Sequence, residues 1–219
     1  MSAQPLMFPS QPAPQPVDLT DKYRPRQLAD FVGLEKPRKI MAKLAARPYS
    51  SSWLFVGASG TGKTTLALAL AESIPAEVHH IASKDCTADQ ITAAWADCFY
   101  VPTHGKRFHV ILVDEADTMS KAAQDSLLSK LDGTTPAPDT IWIFTCNSVE
   151  RFEPRFLSRN RVIEFSNYGI AKEATALLER IWQTETNGAP APNFARIVKE
   201  QNNNIRAALM DLELEMMTA

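Results

Sequence analysis

The chain has 219 residues, of which 45% are hydrophobic and 22% charged, with a formal net charge of −2. That profile excludes a fibrous or wholly disordered protein, leaves ample length for a packed core, and gives no sign of bulk attraction to nucleic acid. No apolar run approaches the roughly 18 residues of a membrane span, and the N-terminus lacks the basic-then-apolar layout of a secretory signal, so a cytoplasmic protein is expected.

Five of the fifteen prolines fall in the first sixteen residues, among Gln, Ser and Ala, and residues 1–17 read as a flexible tail. Between Asp21 and Arg47, eight Lys or Arg stand against three acids, a local excess of +5 that reads either as a solvated helical face or as a phosphate-facing one. Trp53-Leu54-Phe55-Val56 is a short apolar run closed by a Gly-rich turn, and the Ala- and Leu-rich stretch from Thr64 to Ala71 predicts a helix. Three more apolar runs follow: His109 to Val113, Thr140 to Thr145, and Arg161 to Phe165, the last placed near a sheet edge by Glu164. Helices are predicted over Ala88–Phe99, Lys121–Leu131 and near Pro154–Ser158. Near-continuous apolar strands alternating with helices imply an α/β fold with a parallel sheet covered on both faces, where ligands gather at the carboxyl ends of the strands.

After Phe165 the pattern is helical throughout: Ala171–Thr184, Phe194–Lys199 and Ile205–Met217. A boundary near Ser166-Asn167 therefore divides residues 18–166 from a small all-α unit over 167–219. Cys86, Cys98 and Cys146 are odd in number and form no CxxC pair, which argues for free thiols and against a disulfide framework or a structural zinc site. His79 and His80 are adjacent rather than four apart and do not read as a metal pair.

The chemistry concentrates at the ends of the apolar runs. Gly57-Ala58-Ser59-Gly60-Thr61-Gly62-Lys63-Thr64 matches G-x-x-x-x-G-K-[ST] between a predicted strand and a predicted helix that continues through Thr65. In such a loop, backbone N–H groups wrap a β-phosphate, the lysine reaches the β and γ oxygens, and the Thr64 hydroxyl is offered to Mg²⁺. Asp114-Glu115 closes a buried run, where Asp114 is suited to hold magnesium and Glu115 to act as general base on the attacking water; the plainer alternative is a pair of exposed acids capping the next segment. Asn147 ends the following run and can orient the lytic water, although an Asn after a strand is also a common turn residue. Of Arg155, Arg159 and Arg161, one can pair with Glu150 or Glu153, and one can stabilise charge on a neighbouring subunit's nucleotide.

Taken in order, the phosphate loop, Asp114-Glu115-Ala116-Asp117, Thr145-Cys146-Asn147 and Leu157-Ser158-Arg159-Asn160 resemble the AAA+ ATPases, and most closely the clamp-loader subfamily: the replication factor C small subunits and their bacterial and phage counterparts. The resemblance covers roughly residues 20–216. It implies a P-loop core with a five-stranded parallel sheet followed by a helical lid. The segment from Asp21 to Gly33 is similar to that subfamily's opening segment, so Tyr23, Arg24, Pro25 and Val32 are implied around the adenine. Arg159 is implied as the finger acting on an adjacent subunit, and Arg206 as the lid arginine that meets the nucleotide. The stretch from His79 to Asp85 is similar to the one preceding the family's DNA-tracking helix, which implies phosphate contacts at Lys84 and Thr87; a solvated turn with Asp85 or Thr87 as helix cap is the alternative.

The function implied is Mg²⁺- and ATP-dependent loading of a sliding clamp or other replication protein on DNA, in a ring or spiral of like or related subunits. Asn160 stands where the family's signature has cysteine, and the sequence ends after the lid, where the resembled loaders continue into a collar; a loader lacking that domain is read here, whether the collar has been cut away, assembly uses the ATPase faces alone, or another subunit supplies the scaffold. The alternatives are a phage or mobile-element AAA+ protein, such as a helicase loader or transposition regulator, and a nucleotide-dependent scaffold with little turnover.

Overall fold

The computed structural model describes residues 18–82, 86–103, 105–132, 137–186 and 190–218. The N-terminal stretch read as a tail, and Lys84, lie outside them. Five parallel strands form one sheet: β1 (Ser51–Val56), β2 (Ala76–Ile81), β3 (Phe108–Val113), β4 (Thr140–Cys146) and β5 (Arg161–Glu164), in the order β2-β3-β4-β1-β5. β3 and β4 are buried along their whole length and β1 over its four middle residues, so the three inner strands have the continuous apolar runs of a sheet covered on both sides. β5 is an edge strand beside β1, with only Ile163 buried. β2 forms the other edge. Its Ala-Glu-Val-His-His-Ile sequence mixes apolar with polar residues, and for that reason no apolar run in the sequence announces it.

One face of the sheet is closed by α2 (Glu35–Ala46) and α3 (Lys63–Ser73), around Met41, Phe55, Leu66, Leu70 and Phe165. The other is closed by α4 (Ala88–Asp97), α5 (Lys121–Leu131) and the single-turn α6 (Pro154–Leu157), around Ile91, Ile111, Leu127, Phe144 and Phe156. Local chemistry sets the helix starts. Ser120 accepts a hydrogen bond from Ala123 N at 3.2 Å, Thr87 from Gln90 N at 3.3 Å, and Pro154 occupies the first turn of α6.

A third apolar cluster joins the one-turn α1 (Leu19–Lys22) to α7 (Ala171–Glu185), α8 (Phe194–Glu200) and α9 (Ile205–Thr218), through Leu19, Leu178, Ile181, Ile197 and Leu212. α1 is thus packed on the three C-terminal helices. Lys22 Nζ lies 2.8 Å from Glu185 Oε2, and the Tyr23 hydroxyl donates to the same carboxylate. These two donors hold Glu185 below the usual carboxylate range. The folded chain then binds fewer protons than the unfolded one as acid is added, so stability from this pin is full above the ordinary carboxylate pKa and is lost as pH falls through the depressed value. Glu185→Gln is expected to lower the Tm at neutral pH and to flatten its acid dependence, as measured by thermal melts between neutral and acid pH.

No helix among the described residues is long and apolar enough to cross a membrane.

Candidate nucleotide site

β1 ends at Val56 and the chain turns through residues 57–62 into α3, whose first residue is Lys63. Gly60 has φ +77°, the left-handed region, and a side chain there would collide with the Asn204 amide. The left-handed backbone is the firmer constraint, and it favours glycine at this turn. Lys63 is buried, and its ammonium donates to Gly57 O at 2.6 Å, Ala58 O at 2.9 Å and Asn147 Oδ1 at 3.2 Å. Burial pushes its pKa down, and the carboxylates of Asp114 and Asp117 work in the opposite direction. The group is therefore a desolvated cation held against neutral carbonyls, a state that favours an incoming anion.

β3 and β4 deliver the other polar groups from their carboxyl ends. Thr64 Oγ1 donates to Asp114 Oδ1 at 2.7 Å, and Thr145 Oγ1 donates to the same oxygen. Thr145 also accepts from Glu115 N at 3.1 Å, so one hydroxyl fixes the Asp114 carboxylate and the Glu115 backbone. Glu115 has φ +49° and is exposed, and its carboxylate makes no hydrogen bond or ion pair among the described residues. Asn147 is anchored through its own N–H to Asp117 Oδ2 at 3.1 Å, while Asp117 Oδ1 is buried without a partner.

Lys63, Thr64, Asp114, Glu115, Asn147 and Arg206 line one cavity of about 90 Å³, to which Ser59, Gly62 and Thr65 also contribute. It adjoins a second cavity of about 230 Å³, with Gly60, Gly62, Thr65 and Arg206 common to both. The larger one is bounded by Tyr23, Arg24, Pro25 and Val32 on one side and by Thr61 on the loop. Leu177, Arg180, Ile205 and Leu209 close it from α7 and α9. The smaller cavity is polar and cationic on its loop side, and the larger mixes aromatic and aliphatic walls with three arginines, Arg24, Arg180 and Arg206. Together they match the charge and size demands of a nucleoside polyphosphate. Thr64 Oγ1 and Asp114 Oδ1 form a pair of hard oxygen donors beside the phosphate cavity, which fits Mg²⁺.

Every described residue that the sequence nominated for nucleotide binding lies at these two cavities or in the loop between them. Arg159 lines neither. Its guanidinium donates to Arg155 O at 2.8 Å and pairs with Asp132 at 3.2 Å, not with Glu150, Glu153 or Glu164, and its Nε is buried without a partner. Arg155 is taken up by Glu153 and Asp125. Asn160, the departure from the family signature, is buried: its Oδ1 accepts from Ser52 Oγ and its Nδ2 donates to Phe156 O at 2.7 Å, tying α6 to β1. The Thr87 hydroxyl caps α4.

Sequence reasoning missed Thr145, Asp117, Arg180 and Asn204 as parts of the site. Thr145 and Asp117 stand in the sequence only as members of the two motifs, Thr145 inside an apolar run and Asp117 beyond the acidic pair, with no local mark of a role. The other two come from the C-terminal helical region, where nothing local marks them.

The family model described as "ATPase family associated with various cellular activities (AAA)" matches residues 53–168, more than half of the chain. The chain belongs to the AAA family. Among this AAA protein's relatives, the replication factor C large subunit of Pyrococcus horikoshii is 27% identical over 200 residues, covering 88% of this chain and 42% of that protein. Replication factor C subunit 2 of Oryza sativa subsp. japonica is 28% identical over 222 residues, covering 94% and 64%. The AAA chain thus spans less than two thirds of either relative's length. Of solved structures, the Thermotoga maritima RuvB Holliday junction branch migration motor matches 90% of this chain and 72% of its own, with a TM-score of 0.71 at 20% identity. That likeness is one of fold.

Proposed function

We propose that this AAA protein is an ATP-hydrolysing subunit of a clamp-loader-type assembly, with residues 18–166 as the ATPase core and 167–219 as a lid. The reading rests above all on the meeting of Lys63, Thr64, Asp114, Glu115 and Asn147 with Arg206 from α9 at one cavity. In this reading the adenine occupies the larger cavity beside Tyr23, Arg24, Pro25 and Val32, while Arg206 reaches the phosphates from the lid.

The loop's backbone N–H groups and Lys63 bind the β and γ phosphates. Thr64 and Asp114 hold magnesium, directly or through water, and the ion when bound neutralises charge on the phosphate oxygens. Glu115 takes the proton of the attacking water, which Asn147 orients from a position fixed by Asp117. Arg159, outside its own chain's cavities, completes the site of a neighbouring subunit. Similarity to replication factor C subunits supports a partner set of like or related AAA subunits, a sliding clamp and DNA, with Thr87, the N-cap of α4, and Lys84, which lies outside the described residues, as the DNA contact.

Glu115→Gln keeps the shape and removes the base. ATP binding is expected to persist while turnover falls by about 10²-fold or more. Steady-state ATPase assays with and without primer–template DNA, together with equilibrium binding of ATP, check this. Near-normal turnover in the variant would move the base elsewhere. A wild type that binds ATP without DNA-stimulated hydrolysis would favour the scaffold reading.

A further inference from the structure

A second group of ligand-grade side chains lies at the β2 edge, remote from the roles given to the phosphate loop. The parallel register sets Glu77 opposite His109, and the two-residue period of β2 puts His79 on the same face as Glu77. α4 packs over this face, and its C-cap is Cys98. His79 Nε2 stands 2.9 Å from His109 Nδ1, and one ring nitrogen of each histidine and Cys98 Sγ all lie within 4.8 Å of one another. His109 and Cys98 are 3% and 1% exposed, while His79 is only partly buried.

We propose that His79, Cys98 and His109 bind one zinc-class divalent ion through two imidazole nitrogens and a thiolate, with a fourth position open on the His79 side. The orientation of His109 carries this furthest. Its Nε2 meets Tyr100 O at 2.9 Å, and a carbonyl only accepts, so Nε2 holds the proton and Nδ1 turns its lone pair toward the cluster. A metal-bound histidine has this arrangement, with the second nitrogen donating to a backbone carbonyl that fixes tautomer and ring angle. Without an ion, that lone pair accepts the Nε2–H of His79. With one, His79 carries its proton on Nδ1, and both lone pairs face the metal.

Bond lengths of about 2.0–2.1 Å to nitrogen and 2.3 Å to sulfur place tetrahedral ligands roughly 3.3–3.6 Å apart, a spacing that lies between the 2.9 Å separating the two histidines and the 4.8 Å that bounds the whole cluster. The Cys98 thiol donates to Ala94 O at 3.2 Å, and burial pushes its pKa up to about 12. Metal binding must therefore displace its proton, as it does at other thiolate sites. A donor set of imidazole and thiolate selects zinc-class ions and rejects magnesium, which separates this site from the oxygen donors Thr64 and Asp114.

Cobalt(II) is the probe, added to chelator-treated full chain in excess Mg²⁺. One equivalent is expected to give the near-ultraviolet thiolate charge-transfer band and the visible bands of tetrahedral cobalt, both lost on adding Zn²⁺. Cys98→Ser, which keeps the side-chain shape, should abolish the charge-transfer band. His79→Ala, at the partly buried member, should weaken cobalt binding at least about tenfold. Circular dichroism monitors the fold of each variant. No charge-transfer band in the wild type, a band that survives in folded Cys98→Ser, or unchanged affinity in folded His79→Ala would each overturn the proposal.

Discussion

Lys63→Ala is expected to weaken ATP binding to below detection while the fold survives. The lysine ammonium bonds to two loop carbonyls and to Asn147, at the mouth of the cavity where the phosphates are proposed to sit. Charge-assisted hydrogen bonds contribute about 1.5–3 kcal/mol each, so losing two to phosphate oxygens costs roughly 10²–10⁴ in affinity. The fold has other support at this point. α3 is anchored by Leu66, Ala67 and Leu70, all fully buried, and the Lys63 tip contributes nothing to that packing. Calorimetric titration with ATP, alongside circular dichroism, measures both parts. Undiminished affinity in a folded variant would remove the loop from nucleotide binding.

Arg159→Ala is expected to lower ATP turnover by roughly 10³–10⁵, the range for an arginine supplied in trans to a phosphoryl transition state, with ATP affinity of the single chain little changed. Arg159 touches neither cavity of its own chain, and its contacts are a backbone carbonyl and an ion pair with Asp132 at a site where the pair is partly exposed. Exposed pairs of this kind contribute about 0–1 kcal/mol, too little to explain a large loss of activity through stability. Complementation separates the two roles. Arg159→Ala subunits have intact loops and Lys63→Ala subunits have intact arginines, so a mixture can form interfaces with one good copy of each. The mixture should recover part of the lost turnover. If it is no more active than the two variants apart, although co-assembly is shown by mass, Arg159 serves only its own fold.

What the sequence revealed and concealed follows from burial. β1, β3 and β4 are covered on both faces, so their apolar runs and the polar residues that end them stand out: the phosphate loop, Asp114-Glu115 and Asn147 could all be placed from the chain alone. β2 is an edge with alternating exposure and left no such run. Thr145 was hidden because a threonine within an apolar strand reads as a β-branched core residue, yet its hydroxyl bonds to both Asp114 and the Glu115 N–H. Asn160 looked like a flaw in a family signature, and it proves to be a buried link between α6 and β1. The zinc-type spacing rules reject this chain because they test neighbours in sequence. His79, Cys98 and His109 come from three elements and meet only when α4 packs on β2 and β3.

The nucleotide assignment is tested most directly by a crystal structure with a non-hydrolysable ATP analogue and Mg²⁺. The expected result places the γ-phosphate beside Lys63 and Asn147, magnesium at Thr64 and Asp114, and the adenine against Tyr23 to Pro25 and Val32, with Arg206 turned onto the phosphates. A loop left empty at saturating analogue, or a base bound outside the cavity between the opening segment and α9, would contradict it.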